Sequence, residues 1–230
     1  MSVTEPKSRA RKGGRSPSIQ TRAQLKMAAQ LLFAHHGVNA VTVQQIVAAA
    51  GQKNNAAIHY HFGSKEELVR EIVVDGAAVL ERRRQEMLKE LDAKGGPKTV
   101  RDVLHVLIMP VIELENEPQW RGYIRFTSHL HASDREALAR ALDNRWNSGY
   151  VACFDHLKKM VKISSKLLDQ RLSLLNIYAN AVLSARDAAL EDSKTAQSRL
   201  WGQRFTLENI LDSLEAALVS APSESTRDLL

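Results

Sequence analysis

Apolar residues recur at helical spacing through most of this chain, and no stretch alternates as a half-buried strand would. From Thr21, the residues Leu25, Ala28, Ala29, Leu32 and Phe33 share one face, and Gly37 stops the run just after His35 and His36. A shorter face follows in Val43, Ile46, Val47 and Ala50. Thr42-Val43-Gln44-Gln45 opens it in the form of a capping box, and Gly51 closes it. The pattern then predicts a polar helix over about 53–61, ending near Phe62-Gly63. Ser64-Lys65-Glu66-Glu67, a second capping box, starts a long helix through Leu68, Ile72, Leu80, Met87 and Leu91. That helix runs out at Lys94-Gly95-Gly96-Pro97.

Beyond Pro97 the spacing predicts five more helices, at about 98–116, 119–131, 133–161, 167–190 and 204–220. Pro110 should kink the first of these, while Pro118 and Ser133 mark starts. Residues 191–203 are polar and read as a mobile loop. The expected architecture is all-α, with about nine helices. A basic arm over 1–18 leads into a three-helix unit over 19–66. A helical domain over 67–220 and a flexible tail over 221–230 complete it.

Composition narrows the class. With 230 residues and 44% hydrophobic content the chain can bury a core. A single cysteine excludes an internal disulfide framework and suits a reducing compartment. No apolar run approaches the roughly 20 residues of a membrane span, and no apolar segment follows the basic N-terminus as in a secretory signal. A cytoplasmic protein without membrane partners is expected. The net charge is +6, and it is unevenly placed. Residues 1–70 carry ten Lys/Arg against only Glu5, Glu66 and Glu67, so the surplus lies in the first third. A polyanion partner for that part explains the asymmetry; a solvated basic tail would also produce it.

The polar helix decides between them. Val43, Ile46, Val47, Ile58 and Phe62 supply an apolar side that fixes two short helices against the first, making a helix-turn-helix. Lys53, Asn54 and Asn55 fall at the front of its second helix, where Asn can pair with adenine and Lys can donate to guanine in a major groove. Ser64 and Lys65 stand at a helix N-terminus, a place that favours phosphate. Arg22 and the Lys7–Arg15 arm add candidate backbone or minor-groove contacts.

In the early helix ending at His36-Gly37, in Thr42-Val43, Ile46 and Ala49-Ala50-Gly51, and in Ile58-His59-Tyr60-His61-Phe62-Gly63-Ser64-Lys65-Glu66-Glu67-Leu68, residues 22–70 resemble the DNA-binding domain of the TetR family of transcriptional repressors. Two features depart from the family pattern. His59 stands where tyrosine is more frequent, and Gly51 to Phe62 is one residue longer than the commonest form. The resemblance implies that Thr42, Tyr60, His61 and Lys65 touch phosphates or the groove wall. Residues Lys53 to Ala57, Ala56 among them, would read bases, with His59 on the same helix. It also implies a helical C-terminal domain that dimerises through its last two long helices, here 167–190 and 204–220, and encloses an inducer pocket.

Residue chemistry alone speaks to that pocket. Trp120, Tyr123, Phe126 and Leu130 recur along one predicted helix; Trp146, Tyr150, Cys153, Phe154 and Leu157 recur along another. Such walls suit an apolar or aromatic effector, although any single aromatic is more often part of an ordinary bundle core. Candidate lining residues are His105, Met109, Trp120, Tyr123, Phe126, Trp146, Tyr150 and Phe154, with Arg121, Arg125, His129 and Asn147 as orienting groups. His59/His61 and His129/His131 each sit two apart, about 200° around a helix, and cannot chelate one metal. No catalytic constellation, cofactor motif or metal site is expected. The reading is a homodimeric, ligand-responsive repressor on a palindromic operator. Its alternatives are a regulator of the same fold without a small-molecule inducer, and an all-α enzyme acting on an apolar substrate.

Overall fold

The computed structural model describes residues 17–143 and 145–230; the basic arm up to Ser16 lies outside the described residues. Among the described residues every regular element is helical, and twelve α-helices are present. The N-terminal unit comprises α1 (Pro17–His36), α2 (Val43–Ala49) and α3 (Ala56–Phe62), followed by the long α4 (Lys65–Ala93). The remainder is α5 (Val100–Glu115), α6 (Tyr123–Ser133), α7 (Arg135–Leu142), α8 (Ser148–Met160), α9 (Ser165–Ala189), α10 (Ser193–Ala196), α11 (Thr206–Val219) and α12 (Glu224–Arg227).

Local chemistry sets the boundaries. Thr42 closes a full capping box: its hydroxyl accepts from Gln45 N–H at 3.2 Å and its own N–H donates to Gln45 Oε1 at 2.8 Å. Ser64 caps α4 by accepting from Glu67 N–H at 3.1 Å. The expected second box is only half formed, because the Glu67 carboxylate turns to Arg70 instead. Leu25, Ala29 and Phe33 of α1 pack with Ile46 and Val47 of α2, Ile58 and Phe62 of α3, and Leu68 and Ile72 of α4. This is the core of the small unit, and the apolar spacing placed those residues there.

Several boundaries differ from the periodicity. The segment expected as one helix over 133–161 is two, α7 and α8. Asp143 and Trp146 adopt positive φ (46° and 63°), and the chain breaks there, although apolar spacing continues across the break. Pro118–Trp120 forms a 3-10 turn rather than the start of a longer helix, and α6 begins only after Gly122, whose φ is +76°. The polar segment after α9 holds the short α10. Pro110 lies within α5, which continues on both sides of it.

The small unit is seated on the larger one through α1 and α6. Gln30, 3% exposed, donates from Nε2 to the Arg121 carbonyl at 2.7 Å and the Gln119 carbonyl at 3.2 Å. Phe33 and Phe126 stack with ring centroids 5.6 Å apart. Gly122 comes so close to α1 that a Cβ there would meet Ala34 Cβ at 2.9 Å. Beside this junction, the Tyr123 ring lies over Gly76 of α4, and its hydroxyl donates to the Val73 carbonyl at 2.8 Å.

Candidate functional site

Between α2 and α3 the chain turns through Gly51, with φ +68°. Gln52 N–H reaches the Val47 carbonyl at 2.9 Å and Gly51 N–H the Ala48 carbonyl at 3.0 Å, a Schellman closure that requires the left-handed residue. The second helix starts at Ala56, three residues later than the spacing predicts. Lys53, Asn54 and Asn55 therefore occupy the turn. Asn54 Oδ1 accepts from Ala56 N–H at 2.9 Å, so this side chain caps α3 from outside.

The face that α3 turns outward is well defined. Ile58 and Phe62 are buried, whereas Ala56, His59 and Tyr60 are exposed, and Tyr60 is 79% exposed. Lys53, Asn54 and Asn55 are exposed beside them. The Tyr60 ring stands edge-on to His61 at 4.9 Å between centroids. His59 donates from Nδ1 to the Gly63 carbonyl at 2.6 Å, which fixes its ring. Thr42 is exposed at the start of α2, its hydroxyl already in the capping box.

Two basic residues expected to be available for phosphate have other partners. Arg22 forks Glu71 of α4 with its Nη2 and lies over the Phe62 ring at 4.7 Å. Lys65 donates from Nζ to the carbonyls of Val38 and Val41, at 2.7 and 2.5 Å, and stands 5.9 Å from the Phe33 ring centre. Both tie the loop and helices of the small unit together. For Lys65 two of the three ammonium donors are engaged inside the protein.

The larger unit holds a cavity of about 390 Å³ between α4, α5, α6, α7, α8, α9 and α11. That size suits a small organic ligand. Of the residues expected to line it, Tyr123, Trp146, Tyr150 and Phe154 do, with Asn147. His105, Met109, Trp120 and Phe126 do not: Phe126 is fully buried against Phe33, and Trp120 packs edge-on against Tyr123 at 5.6 Å. Arg125 is paired with Glu191 instead, and Arg121 and His129 are also outside the lining.

The sequence reading found Asn147 and Tyr150 but missed the rest of the polar side of this cavity. Arg84 of α4 and Asn176 and Asn180 of α9 line it. Tyr150 donates to Asn176 Oδ1 at 2.9 Å, and Asn180 Nδ2 also donates to that oxygen at 2.9 Å. Burial pushes the Tyr150 phenol and the neighbouring Cys153 thiol each up to about 12, so both stay protonated. The one available signal was a spacing: Asn176 and Asn180, four apart between Leu172 and Leu183 of α9, share a face.

Comparison with known proteins agrees with this geometry. Residues 27–72 match the family model of bacterial regulatory proteins, tetR family. No curated protein matches the chain. Among solved structures, the one described as probable transcriptional regulatory protein RHA5900 is similar over 87% of this chain and 100% of its own, at 20% identity and a TM-score of 0.54. The superantigen PfiT is similar over 88% and 97%, at 17% identity and 0.51. A TetR family transcriptional regulator, PfmR from Thermus thermophilus, aligns over 86% and 99%, at 16% identity and 0.49. At these identities the first two likenesses establish the fold alone.

Proposed function

We propose, starting from the membership of residues 27–72 in the tetR family of bacterial regulatory proteins, that this DNA-binding regulator is a dimeric repressor released by a small, mostly apolar effector. The observation that carries the DNA-binding part is the face of α3. Ile58 and Phe62 are buried, while Ala56, His59 and Tyr60 stand outward beside Lys53–Asn55. A short helix offering donors, acceptors and a phenol on one side is suited to a major groove.

Dimerisation is supported by an uncovered apolar stripe. On α9, Leu174, Ile177 and Tyr178 are 57%, 61% and 41% exposed, and Ala181 and Ala185 extend the same face. Just before α11 and at its last residue, Phe205 and Val219 are 62% and 48% exposed. Isologous pairing through both helices would cover them and relate two α3 helices by a two-fold axis, which calls for a palindromic operator.

Effector release follows from connectivity. The helix α4 runs for 29 residues from the DNA-reading unit into the cavity wall, about 43 Å at 1.5 Å per residue. The helix α6 touches α1 at one end and the cavity along its side. A ligand favouring one setting of α4 and α6 biases the separation of the two α3 helices, and only such differential affinity shifts the population.

The test is footprinting of the purified protein on DNA flanking its own gene across a salt series. A protected palindrome with steep salt dependence supports the reading. Weak protection without sequence preference overturns it. Screening of apolar compounds against the bound operator then separates an effector-responsive repressor from a regulator without one.

A further inference from the structure

The cavity wall contains a guanidinium that is short of partners. Arg84 is 7% exposed and lines the cavity from α4. A guanidinium has five N–H donors. Among the described residues Arg84 makes one hydrogen bond, from Nη2 to the Leu107 carbonyl at 3.5 Å, the outer limit of such a bond. Its Nε is buried with no acceptor. Glu81, one turn earlier on the same helix, approaches Nη1 only to 3.9 Å.

Only Oε1 of Glu81 is held elsewhere; Oε2, itself without a hydrogen-bond partner, faces Nη1 as a counter-charge that stops short of hydrogen-bond distance. Oε1 accepts from Ser148 Oγ at 2.6 Å, from Gly149 N–H at 2.7 Å and from Gln85 Nε2 at 2.9 Å. It thus caps the start of α8, where the helix dipole also favours an anion. Glu81 is not in the cavity lining, whereas Arg84 is. Most of the remaining wall is apolar: Leu104, Leu107, Ile108, Leu142, Phe154 and Leu175 are among its residues. Buried donors without acceptors are a cost that a ligand acceptor removes.

We propose that the cavity takes an amphipathic monocarboxylate, its carboxylate held by the Arg84 guanidinium and its hydrocarbon or aromatic body filling the apolar remainder. Planar guanidinium and carboxylate pair through two parallel N–H···O bonds, which gives orientation as well as attraction. Tyr150, whose ring centre lies 5.7 Å from the guanidinium carbon, walls the same end of the cavity. The proposal rests on the reading of the cavity as an effector site, and the experiment separates the two.

Binding to the full-length protein is measured by calorimetry for decanoate, decanol, methyl decanoate and decylamine, and for 2-naphthoate with 2-naphthalenemethanol. The expected result is that at least one carboxylate binds about ten-fold more tightly than its neutral partner. Arg84→Met should abolish that preference while leaving the alcohols unchanged, and Arg84→Lys should keep part of it. Alcohols or amine binding as well as the acids, or a preference unaltered in Arg84→Met, overturns the carboxylate but leaves the effector cavity standing. Failure of every probe to bind overturns both. Should Arg84→Met not fold, the comparison of head groups on the parent protein decides alone.

Discussion

The carboxylate of Asp187, near the end of α9, caps the start of α6 at Gly122: it accepts from Gly122 N–H and from Arg125 N–H, each at 3.2 Å. Gly122 has no side chain with which to cap its own helix, so the cap comes from a residue 65 positions away. The end of α6 held in this way is the end that presses on Ala34 of α1. Asp187 is 5% exposed, and removing it leaves two N–H groups at this junction without their acceptor. Asp187→Ala should therefore cost about 1–3 kcal/mol in denaturant unfolding, and Asp187→Asn should cost less because one acceptor remains. Equal stability of Asp187→Ala and the parent would show that water satisfies these donors.

Lys65 and Lys53 should separate structural charge from charge that meets DNA. Lys65 is half-buried, with its ammonium on the Val38 and Val41 carbonyls, so Lys65→Met should unfold the small unit at lower denaturant and change the salt slope of DNA binding by less than one. Lys53 is exposed in the turn before α3. Lys53→Ala should leave the melting temperature unchanged and lower the slope by about one. Anisotropy titrations from low to moderate salt, with thermal melts of the same samples, check both. A full unit of slope lost in Lys65→Met without destabilisation would return Lys65 to the phosphate contacts.

Buried partners of this kind explain what was legible in the sequence. Turn glycines, the Thr42 cap and the apolar faces of α1 to α4 are local signals, and they placed the helix-turn-helix to within a few residues. The start of α3 was misplaced because Asn54 reads equally as a base contact or as a cap, and only geometry shows its Oδ1 on Ala56 N–H. The break between α7 and α8 escaped because apolar spacing continues from Leu138 through Trp146 to Tyr150 while the backbone turns over at Asp143 and Trp146. The cavity wall was half legible. An aromatic periodicity marks a buried face, but whether that face meets another ring, as Phe126 meets Phe33, or an empty volume, as Phe154 does, depends on contacts far away in sequence. Arg84 carries no local mark at all. It follows Arg82 and Arg83 on a charged stretch of α4, and burial alone distinguishes it.

Glu115, at the end of α5, gives the junction a pH dependence. Burial holds its carboxyl at about 7, well above the usual carboxylate range, although Arg186 Nε lies 2.8 Å from Oε2. Its Oε1 has no hydrogen-bond partner, and Asp187 adds like charge nearby. A carboxyl raised on folding favours the folded state while it carries its proton. That contribution is complete below the ordinary pKa near 4.5 and is lost as the pH rises through about 7. The parent should therefore melt at lower temperature at pH 8 than at pH 6, and Glu115→Gln should flatten that difference. Melts of both proteins at matched ionic strength test this; parallel curves would mean that Arg186 keeps Glu115 ionised throughout.

The stripe on α9 sets the last expectation. Ile177 is 61% exposed at its centre, with Leu174 three residues before it and Tyr178 beside it. An isolated subunit would leave these apolar groups in water, while pairing across a two-fold axis buries each of them twice. A charge at the centre of such a face is opposed by its own symmetry mate, so Ile177→Glu should lower the mass measured by light scattering to that of a single chain. Its melting temperature should change little if the monomer core is intact, since Ile177 contributes nothing to that core. Operator affinity should fall steeply, because a single α3 helix reads only one half-site. An Ile177→Glu protein that remains a dimer and protects the same DNA would move the interface off α9.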